Sequence, residues 1–135
     1  MFFQRITNVD KQVLSCFLPC RNCFIYSSKS AIKQLKRIIK TSYHFFKVFD
    51  NNVFIGCLFV DNIDHLNKVI EFGGFAFRHV NTKQSLKELI AYLKYHYPDY
   101  TLKALTKQKT AKFSLVRVGF INRNGEYIYE QKKRH

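Results

Sequence analysis

The sequence predicts an α/β domain on a mixed central sheet with helices on both faces, in the order β-α-α-β-β-β-α-β-α-β. Three observations carry this expectation. Residues 43–60, YHFFKVFDNNVFIGCLFV, alternate aromatic and β-branched residues around Asp50-Asn51-Asn52, which tolerate the positive φ of a tight hairpin. Leu86, Leu89, Ile90, Leu93 and Tyr97 recur at helical spacing and stop before Pro98. Residues 100–120, YTLKALTKQKTAKFSLVRVGF, give a strand, a loop, a helix closed by Gly119 and an aromatic residue straight after it.

The remaining elements follow in order. Met1 to Ile6 is a first strand, and Asp10 or Asn8 caps a short helix through Val13 and Leu14 that Pro19 ends. Ser28 or Ser30 opens a second helix. Ile32, Leu35, Ile38 and Ile39 make its buried stripe; Lys29, Lys33, Lys36 and Lys40 make a basic one, either a solvated face or a docking surface. Asp61 to Asn67 is a polar turn and Lys68 to Phe77 the third strand of a meander. Gly73-Gly74 within it predicts a β-bulge or a close backbone approach to a ligand. Asn81 and Gln84 form a capping box for the helix through Leu93. Thr106 caps the next helix, whose shared face is Ala111, Ser114, Leu115 and Val118. A turn at Asn124-Gly125 leads to a last strand, Tyr127 to Gln131.

A chain of 135 residues, 47% of them apolar, fits a single domain, 1–135, with one core. Its 23 Lys and Arg against 9 Asp and Glu give a net charge of +14, a field that draws polyanions: nucleic acid, acidic membrane, acidic proteins or a phosphate-rich cofactor. Polar residues interrupt the start before any apolar leader forms, and no apolar run reaches membrane-spanning length. The expectation is a cytoplasmic protein without membrane contact, its four cysteines free thiols.

The element order, the hairpin VFDNNVFIGCLFV and Gly119-Phe120 after the penultimate helix resemble the GNAT superfamily of N-acetyltransferases. The resemblance covers most of the chain and is most specific from Tyr43 to Phe120. It implies transfer of acetyl from acetyl-CoA to an amine of a protein or small molecule. It also implies that acetyl-CoA lies where the bulged fourth strand splays from the fifth, with Gly73-Gly74 as the bulge. Phe77, Arg78, His79 and Val80 would edge the cofactor, and its pyrophosphate would rest on the helix start at Asn81, Thr82, Lys83, Gln84 and Ser85, where unpaired N–H groups favour anions.

This chain departs from the family pattern at several slots. The family writes the pyrophosphate loop as Arg or Gln, two residues, Gly, one residue, Gly or Ala; Asn81, Gln84 and Leu86 stand there. Gln108 takes the place of the Asn that touches the pantetheine arm, and Leu115 that of the tyrosine general acid. Glu71 is the carboxylate near the fourth strand that would serve as base; its alternative role is a strand-face partner of a lysine.

Cys16, Cys20 and Cys23 have the CxxxCxxC spacing of cluster-binding radical enzymes, but that chemistry needs a far longer barrel, and no metal is expected. Cys57 falls in a strand and is expected in the core. Tyr92, Tyr95, Tyr97 and Tyr100 around Lys94 form either core and rim or a base-stacking set. Two functions therefore stand: the acetyltransferase, and a binding protein on the same fold that holds nucleic acid or an acidic protein through its charge.

Overall fold

The computed structural model describes residues 1–24, 30–77, 80–104, 106 and 109–130. The chain divides into two compact units, Met1–Asp61 with Gly74–Val80 and Asn62–Gly73 with Asn81–His135.

The first unit begins with β1 (Phe2–Arg5), α1 (Lys11–Phe17), a 3-10 turn of helix (Leu18–Cys23) and α2 (Ala31–Thr41). The caps are those the sequence offers. Asp10 accepts from the Val13 amide at 2.8 Å, and Ser30 from the Lys33 amide at 3.3 Å. Pro19 lies near the start of the 3-10 turn, where its missing N–H is harmless, and α1 stops two residues before it. β2 (His44–Asp50) and β3 (Val53–Asp64) form the expected hairpin, with Asn51 and Asn52 at φ of 49° and 66°. β1 pairs antiparallel with β2, Phe2 opposite Phe49 and Arg5 opposite Phe46.

A bulge sits in this hairpin. Val48 faces Gly56 but Phe49 faces Phe54, so Ile55 has no partner on β2, and its carbonyl accepts instead from the Phe77 amide at 3.3 Å. The core of the unit is aromatic. Phe17 meets Phe75 edge-on at 5.3 Å, Phe45 stacks on Phe59 at 5.4 Å, and Val13, Cys16, Leu35 and Cys57 fill the spaces between.

On α2 the buried face departs from expectation. Ile32 is 45% exposed, while Gln34 is buried and satisfied by Arg21, whose Nε donates to Gln34 Oε1 at 3.2 Å and whose carbonyl accepts from Gln34 Nε2 at 3.0 Å. Gly74 is explained by the chain itself: a Cβ there would come within 2.7 Å of the Cys57 carbonyl and 2.6 Å of Leu58 Cδ2. The close backbone approach that Gly74 permits is to β3.

A buried cation joins α1 to β2. Lys47 donates to Asp10 Oδ2 at 2.6 Å and to Gln12 Oε1 at 2.7 Å, and its ammonium lies 5.2 Å from the Phe54 ring centre. Partial burial opposes the charge of Asp10, but the Lys47 hydrogen bond, the Val13 amide and the Lys47 charge outweigh it, and the carboxyl is held below its ordinary value of 3.8. A depressed carboxyl stabilises the fold above its unfolded pKa, and the contribution disappears as pH falls through the lower folded value. Asp10→Ala is expected to cost about 1–3 kcal/mol at neutral pH, from the lost cap and a poorly paired Lys47. The difference from the parent should shrink below about pH 4; urea midpoints across that range check both parts.

The second unit holds α3 (Lys83–His96), β5 (Thr101–Ala104), α4 (Lys109–Arg117), β6 (Ile121–Arg123) and β7 (Glu126–Tyr129), with the first part of β4 (Val69–Ala76). β4 and β5 pair parallel from Val69 opposite Thr101 to Phe72 opposite Ala104, and β4 runs on for four more residues. β7 pairs antiparallel with β5 and β6, and the strand order is β1-β2-β3-β4-β5-β7-β6. β6 is a strand additional to the expected order. It makes a two-residue hairpin with β7, Asn124 and Gly125 both at positive φ of 54° and 87°.

The polar turn after β3 starts later than expected, since β3 runs to Asp64. The Asp64 carboxylate holds the turn, accepting from the Leu66 and Asn67 amides at 3.1 Å each. α4 is described from Lys109, and the helix start that Thr106 is expected to cap, at residues 107 and 108, lies outside the described residues. Gly119 closes α4 as expected: its φ is 110°, its amide donates to Val116 at 3.1 Å, and the Phe120 amide donates to Leu115 at 3.0 Å. Phe120 is thereby turned onto Phe72 at 5.7 Å and Tyr129 at 5.4 Å. Leu86, Leu89, Ile90 and Leu93 of α3 are buried, as their spacing predicts.

Candidate active site

The start of α3 is built from short polar residues. Thr82 occupies the cap position with φ −87° and ψ −2° and makes no side-chain capping bond. Its hydroxyl donates instead to Ser114 Oγ on α4 at 2.8 Å. Asn81 Oδ1 accepts from the Lys83 amide at 3.0 Å, a bond two residues ahead rather than the three of a capping box. Gln84 likewise does not reach back; its side chain runs along the helix to Glu88 Oε1 at 3.4 Å. The expected Asn81–Gln84 capping box is therefore replaced by an Asn81 turn and a Thr82 tie to α4.

These substitutions matter for the helix end. The amides of Gln84 and Ser85 are second and third in the helix and have no intrahelical acceptor. Among the described residues no side chain accepts from them. Gln84 is exposed, and its side chain runs down the helix to Glu88 instead of over that end. Leu86, in the slot of the family's Gly or Ala, is buried in the unit's core. Lys83 is half-buried and adds positive charge, while Ser85, backbone included, is only 5% exposed. The residues present thus fit an anionic group at the helix end through the Gln84 amide and Lys83, with the Thr82 hydroxyl already engaged.

Before this helix, in the first unit, Phe77 packs edge-on against Phe54 at 5.8 Å, and the Val80 amide donates to the Phe77 carbonyl at 3.1 Å. Arg78 and His79 between them, and Gln108 ahead of α4, lie outside the described residues.

Glu71 sits on β4 opposite Lys103 of β5 and pairs with its ammonium at 3.1 Å; Glu126 of β7 approaches the same ammonium at 3.2 Å. The hydrogen bonds that Lys103 donates to Glu71 and then to Glu126 raise its pKa, so the lysine stays charged between two carboxylates. Sequence reasoning allowed Glu71 a lysine partner; Glu126 carries no local signal, because its place follows from the β5–β7 register. The Thr82–Ser114 bond was equally hidden, joining residues 32 apart. Leu115, in the slot of the tyrosine acid, is buried at 3% exposure.

Cys16 and Cys20 are core residues. Burial pushes the Cys16 thiol up to about 12, and the Cys20 thiol donates to the Phe17 carbonyl at 3.3 Å. Cys57 is buried in β3, as expected, and its thiol is pushed up further. No group of three or more His, Cys, Asp or Glu among the described residues has metal-binding proximity, and none of their helices is long and apolar enough to cross a membrane.

No protein-family model and no curated protein sequence matches the chain. Solved structures do. The N-acetyltransferase PseH of Campylobacter jejuni is 19% identical over 97% of this chain and 98% of its own, with a TM-score of 0.64. The same protein has been solved in complex with acetyl coenzyme A, at 21% identity and a TM-score of 0.62. The ribosomal-protein-S5-alanine acetyltransferase of Vibrio fischeri is 13% identical over 93% of this chain and 88% of its own, with a TM-score of 0.69. This chain has the GNAT fold.

Proposed function

We propose that this GNAT-fold chain is an N-acetyltransferase that takes acetyl from acetyl-CoA to an amine of a protein or small molecule. The observation that carries this is the start of α3, where the amide of the exposed Gln84 has no acceptor among the described residues and Lys83 adds charge. It stands in a fold shared with an N-acetyltransferase solved with acetyl coenzyme A. The pyrophosphate would rest on that helix start.

Chemically, the amine nitrogen attacks the thioester carbonyl, the C–S bond breaks, and coenzyme A leaves as the thiol once a proton reaches it. Leu115 cannot supply that proton. Glu71, paired with Lys103 at 3.1 Å, would take the proton from the attacking amine. The rest of the rate enhancement would come from holding the two substrates together.

Glu71→Gln is expected to lower kcat/KM about 10²-fold at neutral pH while acetyl-CoA affinity stays unchanged. Release of free thiol from acetyl-CoA, followed against a panel of amines, reads this out. Unchanged turnover in the variant would remove Glu71 from the chemistry; no thiol release with any amine, beside intact binding, would remove the activity.

A further inference from the structure

Between Asp10 and Asp50 the sequence has eight Lys or Arg and no Asp or Glu. Lys47 among them is buried and paired with Asp10. α2 gathers four others on its outer side: Lys33, Lys36, Arg37 and Lys40 are all exposed. Lys33, Lys36 and Lys40 have no acidic partner among the described residues. Spacings of three and four place them on one helix face, in a stripe about 10 Å long.

The stripe leads to an exposed aromatic ring. Tyr43 stands just past Ser42, the cap that ends α2, and is 49% exposed, and Arg5 of β1 donates to the Tyr43 carbonyl at 3.0 Å, bringing another guanidinium to that end. We infer that the outer face of α2, with Arg5 and Tyr43, binds single-stranded nucleic acid. The cations face successive phosphates, and Tyr43 stacks on an unpaired base. The ring favours a single strand over a duplex, whose bases are already stacked. A membrane surface would need an apolar face turned outward, and α2 exposes only Ile32 among its large apolar residues. An acidic protein would use the charge but gives the ring no comparable partner. This binding does not depend on acetyl transfer, so the two readings fail separately.

The test is fluorescence anisotropy of the whole chain with a short labelled oligouridylate or oligothymidylate over a range of salt. The logarithm of the affinity should fall linearly with the logarithm of salt. Combined Lys33→Gln, Lys36→Gln and Lys40→Gln should make the slope shallower by about 2. Tyr43→Ala should weaken binding about tenfold and leave the slope unchanged. Combined Lys68→Gln, Lys87→Gln and Lys112→Gln removes equal charge elsewhere and should alter the slope much less. An unchanged slope in the α2 variant, or equal changes in both triple variants, overturns the inference. So does affinity for polyglutamate or phosphatidylserine vesicles that equals the oligomer's and ignores Tyr43→Ala, which would indicate an acidic protein or a membrane surface instead.

Discussion

Phe17→Ala is expected to cost about 3–5 kcal/mol, a large share of the roughly 5–15 kcal/mol that holds a domain together. Phe17 is fully buried and touches aromatic rings from a loop and a strand, Phe24 at 5.5 Å and Phe75 at 5.3 Å. Truncation removes the transfer energy of the ring and leaves a void that these stiff neighbours fill poorly, and it forfeits the edge-on contact with Phe75 as well. Urea unfolding should show a lower midpoint with an unchanged slope. A loss below about 1 kcal/mol would mean that the space between α1 and β4 is not closed by this ring.

Gly56→Ala is expected to cost about 3 kcal/mol or more, although it adds one methyl group. A Cβ at this position would lie 2.5 Å from the Phe75 carbonyl oxygen and 2.9 Å from Ala76 Cα. Both are backbone atoms and cannot rotate aside, so β3 and β4 must separate or shear. Gly125 makes the comparison. Its Cβ would meet nothing within 4 Å, and its need for glycine comes from a φ of 87°. Gly125→Ala should therefore cost only about 1–2 kcal/mol, the strain of a left-handed residue. Thermal unfolding of the two variants side by side checks the order; a larger loss at Gly125 would contradict it.

The parts of the fold legible in sequence were those with local causes. Asn51 and Asn52 make a hairpin because they accept positive φ, and Gly119 stops α4 for the same reason. β6 was missed because its three residues are all exposed, so no apolar alternation marks it. Ile32 was misplaced because a stripe read from spacing cannot show where a helix turn leaves the core. Gln34 is buried there because Arg21 satisfies its amide. At the site, the helix start at residues 81–85 was found by its element order. What its side chains do was not legible: Asn81 turns on itself, Gln84 runs to Glu88, and Thr82 ties to Ser114, each choice made among neighbours a short motif does not contain.

The central claim is that the start of α3, with the Gln84 amide and Lys83, forms part of a shaped acetyl-CoA site. Calorimetric titration of acetyl-CoA, with ATP as a polyanion of similar charge and salt as the variable, tests it directly. Acetyl-CoA should bind more tightly than ATP and hold most of its affinity as salt rises, because hydrogen bonds to fixed amides and pantetheine contacts are screened less than surface charge. Equal affinities that disappear together with salt would contradict the claim and leave the GNAT fold here as a carrier of charge alone.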